Sequence, residues 1–89
     1  MEFKISSQFA SDVKEVEDGS LHEMIKRVIE KIKHANTIAE ITQFRSVGSK
    51  AGVYKMGVGF YYLLAIQSSE QELTLMRFLH RDLLMRVIV

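Results

Sequence analysis

Apolar residues recur along this chain with two different periods, and the change between them divides it into a helical half and a strand half. Phe3 and Ile5 alternate with polar neighbours, the two-residue period of a short strand. Ser6 or Ser7 then caps a helix that carries Phe9, Val13 and Val16 at spacings of four and three. Asp18-Gly19-Ser20 stops it, and Ser20 followed by Glu23 reads as a capping box for a second helix. Leu21, Met24, Ile25, Val28, Ile29 and Ile32 give that helix one broad apolar stripe, ending near Ala35-Asn36. Two antiparallel helices are expected from this half.

Residues 37–50 read as a loop pinned across a core, with Ile38, Ile41, Phe44 and Val47 at three-residue intervals and room for one helical turn. The period then shortens. Residues 53–58 and 60–67 read as strands meeting at Gly57-Val58-Gly59, and a polar turn at Ser68-Ser69-Glu70-Gln71 leads to a strand over 72–80. Simple alternation puts Tyr54, Met56 and Val58 on one face of their strand, and Val53, Lys55 and Gly57 on the other. In the last strand it separates Thr74, Met76, Phe78 and His80 from Leu73, Leu75, Arg77, Leu79 and Arg81, turning His80 away from Arg77 and Arg81.

The 89 residues read as one domain, 1–89, in which helices and sheet share a single core. No cysteine is present, which excludes thiol chemistry and thiolate metal sites and fits a reducing compartment. No apolar run reaches the ~20 residues that span a bilayer. The first residues lack the basic region and long apolar stretch of a signal peptide, so the expectation is a cytoplasmic protein with no membrane partner. Net charge is only +1, but it is unevenly placed. Residues 1–40 hold six Lys/Arg against eight Asp/Glu, and residues 41–89 hold six against three. The basic character sits with the strands, where an anionic partner would meet it.

Lys55, Arg77 and Arg81 are the cations of that sheet, with Arg45 in the preceding loop. Taken alone, such residues also serve as solvated charges that discourage edge-to-edge aggregation. His22 and His34 lie twelve positions apart on one helix, about 120° round its axis at ~100° per residue, and do not form a metal pair. Gly57 and Gly59 are followed by no helix, so they shape a turn rather than cradle a phosphate. No cofactor or metal is expected.

The order strand, helix, helix, three strands, with E-I-T-Q-F-R-S-V-G, V-Y-K-M-G-V-G-F-Y-Y-L-L and M-R-F-L-H-R-D at residues 40–48, 53–64 and 76–82, resembles the RelE/ParE superfamily of bacterial toxin–antitoxin toxins. The resemblance covers nearly the whole chain. It implies an α+β fold: an N-terminal strand and a two-helix hairpin packed on a small curved antiparallel sheet, β-α-α-β-β-β. The family's usual middle element is Y-R-I-R-V-G-D-Y-R, and its last is V-R-F-L-H-R-K-D-I-Y. Carried over position by position, the first cation after the tyrosine falls on Lys55, and the arginine of the final H-R pair on Arg81. The second cation falls on Gly57, the arginine of G-D-Y-R on Tyr62 and the C-terminal tyrosine on Met85, while the acidic residue of G-D-Y-R has become Phe60.

The function implied is that of the toxin of a type II pair, directed at mRNA on the ribosome as an endoribonuclease with a depleted catalytic set. Cleavage through a 2′-hydroxyl needs a base, an acid for the leaving oxygen, and positive charge at the phosphorane. The candidate catalytic residues are Lys55, Arg81, His80 and Tyr62, with Tyr61 as another source of a phenol; Arg77 and Arg45 are candidate RNA contacts. The alternatives are a ParE-like poison of DNA gyrase and a non-toxic relic that only binds an antitoxin. A cognate antitoxin is the implied partner. The apolar run Leu83-Leu84-Met85-Arg86-Val87-Ile88-Val89 fits an added strand, or a surface covered by that antitoxin or by a second copy in a homodimer.

Overall fold

The computed structural model describes residues 1–48 and 50–87. Ser49, Ile88 and Val89 lie outside the described residues, as does the side chain of Met85, on which the family's tyrosine falls. The chain runs β1 (Glu2–Ile5), α1 (Ser7–Lys14), α2 (Gly19–His34), β2 (Arg45–Ser46), β3 (Val53–Val58), β4 (Tyr61–Ser69), β5 (Glu72–His80) and α3 (Arg81–Val87). A single 3-10 turn at Ile38–Glu40 is the helical turn expected in the central loop. The strands form one sheet in the order β1-β5-β4-β3-β2, so the α+β architecture read from the sequence is the one present.

The helix starts follow from side-chain acceptors. Ser6 Oγ accepts from the Phe9 N–H at 3.0 Å and opens α1. Asp18, not Ser20, caps α2: its carboxylate accepts the Ser20 N–H at 2.9 Å, and the expected Ser20/Glu23 box is replaced because the helix begins two residues earlier, at Gly19. Both helices bury their apolar stripes on one face of the sheet. Phe9, Val16, Leu21, Ile25 and Ile32 pack there against Met56, Val58, Leu63, Ala65, Leu73, Leu75 and Phe78.

Three features of the sheet differ from the simple pattern. β3, β4 and β5 form the antiparallel meander, but β1 pairs with β5 in parallel, because α1 and α2 carry the chain back across the sheet's face before β3 begins. β2 adds a fifth, two-residue strand pairing Arg45 with Lys55 and Ser46 with Tyr54. Within β5, Leu75 pairs with Ala65 and Arg77 with Leu64, which leaves Met76 as an unpaired bulge. That extra residue inverts the alternation beyond it. Leu73, Leu75 and Phe78 therefore share the helix-covered face, although alternation had separated Phe78 from the two leucines.

The C-terminal run, as far as Val87, forms a helix rather than a strand. Leu84, 2% exposed, packs with Val47 and Leu64 on the sheet face opposite α1 and α2, with Val53 and Tyr62 beside them. Leu83 stays largely exposed.

Gly59, in the β3–β4 turn, has φ +61°, a left-handed conformation that is costly for any residue with a side chain. A Cβ there meets Leu21 Cδ2 at 3.4 Å, close to ordinary contact, so the cost of Gly59→Ala is one of backbone strain. The expected loss is about 1 kcal/mol, measured as a lower midpoint in urea with an unchanged slope.

Candidate functional site

The sheet face left open by α1 and α2 gathers most of the basic residues singled out in the sequence. On β3, Lys55 points to this face, and its Nζ sits over the Tyr62 ring, 5.3 Å from the centroid. Tyr62 stands opposite Gly57 on one side and Leu79 on the other. Gly57 leaves room for that ring, since an added Cβ meets only Tyr62 Cε1 at 3.7 Å. Arg45 is the register partner of Lys55 on the outermost strand, and its guanidinium turns back to donate to the carbonyls of Thr42 and Phe44.

A second cation–aromatic pair lies at the end of the β4–β5 ladder. Phe60 is two residues before Tyr62, and its carbonyl accepts the Arg81 N–H at 2.8 Å, prolonging the β4–β5 ladder by one step. Phe60 lies in the β3–β4 turn just before β4, where it also borders a hollow on the helix side of the sheet. The Arg81 guanidinium carbon lies 5.0 Å from the Phe60 ring centroid. Phe60 is 63% exposed, a large apolar ring held out to solvent beside a cation. Each such contact is worth ~0.5–1 kcal/mol at an exposed site and orders a long basic side chain before any ligand arrives. Sequence reading had treated Phe60 only as the loss of an acidic residue. The turn glycine before it, with Arg81 one step past the paired strand, is the signal that marks it.

Arg77 and His80 are placed elsewhere. The Arg77 side chain is bound by Asp12 of α1 through Nε to Oδ2 at 2.8 Å and through an Nη donor to Oδ1 at 3.1 Å. The same Oδ2 accepts the Phe78 N–H at 2.9 Å. Asp12 thus closes the stretch of the β5 edge that β1 no longer covers. Burial works to raise its pKa, but the hydrogen bonds from Arg77 and Phe78, with the attraction of the guanidinium, outweigh this and hold the carboxyl below its ordinary value. Asp12 was legible only as a carboxylate on an apolar helix face: it stands three residues after Phe9 and four before Val16.

His80 lies on the helix side of the sheet. Its ring meets Tyr61 edge-on at 5.4 Å, and Tyr61 stacks on Phe78 at 5.0 Å. With Val16, Leu21, Met24 and Phe60 it lines a hollow of about 500 Å³ below the α1–α2 turn, bordered by Glu15, Glu17 and Asp18. His80 Nδ1 is 3.3 Å from the Asp82 N–H at the start of α3. The fold therefore brings Lys55, Tyr62 and Arg45 together, places the Phe60–Arg81 pair at the end of the β4–β5 ladder, ties Arg77 to the sheet edge, and sets His80 on the helix side. Among the described residues, no group of three or more His, Asp or Glu is placed to hold a metal ion, and no helix is long and apolar enough to cross a membrane.

Chemically, the two pairs offer positive charge beside aromatic surfaces, Lys55 with Tyr62 and Arg81 with Phe60. Backbone phosphates and unstacked bases are the complementary groups. Tyr62 adds a phenol beside Lys55.

The α+β fold recurs in solved structures. The chain is similar to a chain in the crystal structure of the RelB–RelE antitoxin–toxin complex from Methanococcus jannaschii, at TM-score 0.81 and 21% identity over 97% of this chain and 99% of that one. It is also similar to a chain of the E. coli DinJ–YafQ complex, at TM-score 0.62 and 16% identity over 93% and 96% of the two. At these identities the fold is what is shared. No protein-family model matches the sequence, and a comparison with curated proteins gives no match.

Proposed function

We propose that this protein is the toxin of a type II toxin–antitoxin pair, and that its open sheet face engages mRNA on the ribosome. The observation that carries the reading is two cation–aromatic pairs, Lys55 on Tyr62 at the sheet face opposite α1 and α2 and Arg81 on the exposed Phe60 at the β3–β4 turn. Both solved structures of like fold are described as toxin–antitoxin or paired complexes, and this supports an antitoxin as partner. Lys55 and Arg81 hold phosphate and oppose the charge that develops during cleavage. Tyr62 lies within reach of Lys55 and carries the proton-transfer role, while Arg45 extends the basic surface. Arg77, already paired with Asp12, acts by fixing the strand that leads to Arg81, and His80 stays outside the reaction.

The test is cleavage of ribosome-bound message by purified protein, with Tyr62→Phe as the chemical control. Loss of cleavage with retained RNA binding assigns the phenol to the chemistry; cleavage at an undiminished rate removes Tyr62 from it. Phe60→Ala tests the stacking surface separately. Base–aromatic stacking contributes ~1–3 kcal/mol per base, so binding of a single-stranded oligonucleotide weakens at least fivefold, while stability falls only by the lost contact with Arg81, ~0.5–1 kcal/mol.

One observation favours a second reading, a gyrase poison that cuts no RNA. His80 faces the helices, and the open face gathers cations with a single phenol rather than an acid–base pair. Arrested cells with intact full-length message and induced DNA-damage signalling would establish that alternative.

A further inference from the structure

The turn between α1 and α2 borders the hollow of about 500 Å³ that His80 lines. Glu15 caps the end of α1, and Glu17 and Asp18 follow before α2 begins. Hydrogen bonds fix this turn: His22 Nε2 donates to the Val16 carbonyl at 2.6 Å, and the Asp18 carboxylate accepts the Ser20 N–H at 2.9 Å. Among the described residues, no Lys, Arg or His forms an ion pair with Glu15, Glu17 or Asp18. Three carboxylates thus border one cavity with their charge uncompensated.

The rest of the lining is mostly apolar. Val16 and Leu21 are buried beside the hollow, and Met24, Phe60 and Tyr61 also face it. Of the large apolar side chains that the fold leaves exposed, Met24 and Phe60 meet here, and Leu83 lines an adjoining hollow of about 170 Å³ that shares Tyr61 and His80. Exposed apolar groups that converge on a concavity mark a contact. The volume lies within the range of small-molecule sites, roughly 300–1,000 Å³.

We infer that this hollow binds a small organic cation, an ammonium or guanidinium group attached to an aromatic body. Leu21, Met24 and Phe60 take up the body, and the charged group stays at the wet rim with Glu15 and Glu17. The positive groups on the strand side are Arg81, over the Phe60 ring, and His80 when protonated. They direct the ligand's charge to the α1–α2 turn. An anion meets three like charges there, and a neutral ligand leaves them unused. An extended peptide gains no strand pairing at Phe78, because Asp12 already accepts that N–H on the β5 edge. The site stands whether or not the protein is a toxin.

The full chain is titrated with tryptamine, its neutral alcohol analogue tryptophol and the anion indole-3-propionate, followed by amide chemical shifts. Tryptamine is expected to bind with a Kd on the order of 1 mM for a ligand of its size, shifting Val16, Gly59 and Tyr61 while Lys55 stays still. Tryptophol should bind about fivefold more weakly, the increment of two exposed ion pairs, and indole-3-propionate more weakly again. Glu15→Gln with Glu17→Gln should bring tryptamine down to the affinity of tryptophol and leave tryptophol unchanged, which also shows that the variant folds. Met24→Lys, an exposed change on α2, fills the hollow with a cation and should abolish binding of tryptamine. Failure of tryptamine to bind at tens of millimolar overturns the inference. So do equal affinities for the three probes, shifts centred on Lys55 and Tyr62, or undiminished tryptamine binding by either variant.

Discussion

Expression of this chain without a partner is expected to arrest growth, and the Lys55→Ala, Arg81→Ala double variant is expected to grow like a vector control. Each of the two cations lies over an aromatic ring and, among the described residues, is paired with no carboxylate. Their charge is therefore available to phosphate. Removing one preorganised group that opposes transition-state charge typically costs on the order of 10²–10³ in rate. Two such losses take activity below what slows a cell. Binding gives an independent measure, because each single-strand phosphate contact contributes about 0.7 to the slope of log K against log salt. The double variant should show a slope shallower by roughly twice that. Neither side chain belongs to the core, so the thermal midpoint should fall only by the two lost cation–π contacts, ~0.5–1 kcal/mol each, and the variant should remain folded. Undiminished arrest by the folded double variant would exclude the open face as the toxic surface.

The largest effect on stability is expected at Asp12. Its side chain is 13% exposed and that of Arg77 31%, and one carboxylate satisfies both the guanidinium and the Phe78 N–H. Asp12→Ala leaves a half-buried cation and an edge N–H without acceptors. Breaking a fully buried pair costs about 3–5 kcal/mol; with Arg77 one-third exposed, about 2 kcal/mol is expected, or roughly 10 °C in a domain of this size. Because the folded pKa of Asp12 is depressed, its contribution is fully present above the ordinary carboxylate value and is lost as pH falls through the lower folded value. Wild-type stability should thus decline in the acid range, and Asp12→Asn should flatten that part of the profile. An acid limb of unchanged steepness in Asp12→Asn would show that other carboxylates carry it. Alanine at both Asp12 and Arg77 should cost less than Asp12→Ala alone, since no unpaired cation then remains.

Much of the architecture was legible because periodicity records burial. The stripe from Leu21 to Ile32 can be satisfied only by a helix against a core, and the alternation through β3 only by a strand with one covered face. The resemblance in residues 40–82 pointed to the fold that the structural comparisons share. Less was legible around Met76. Leu73, Leu75 and Phe78 do not obey one alternation, and nothing in T-L-M-R-F identifies which residue is extruded. The bulge forms where β1 ends and α1 crosses the β5 edge, with Ser6 Oγ donating to the Met76 carbonyl and Asp12 taking the Phe78 N–H. Those partners are more than 60 residues away in the chain.

The C-terminal run shows the same division. Its apolar character announced a contact, but a strand, a helix and an interface all bury Leu84 equally well on paper. Only the presence of Val47 and Leu64 on the open face selected the helix. For this protein the sequence alone determined the local elements, the core-facing stripes and the location of basic charge, because each depends on neighbours within a few residues. Tertiary structure decided which cations remain free. Lys55 and Arg81 meet aromatic rings, Arg77 meets the carboxylate of Asp12, and that difference is made by groups brought together across the fold.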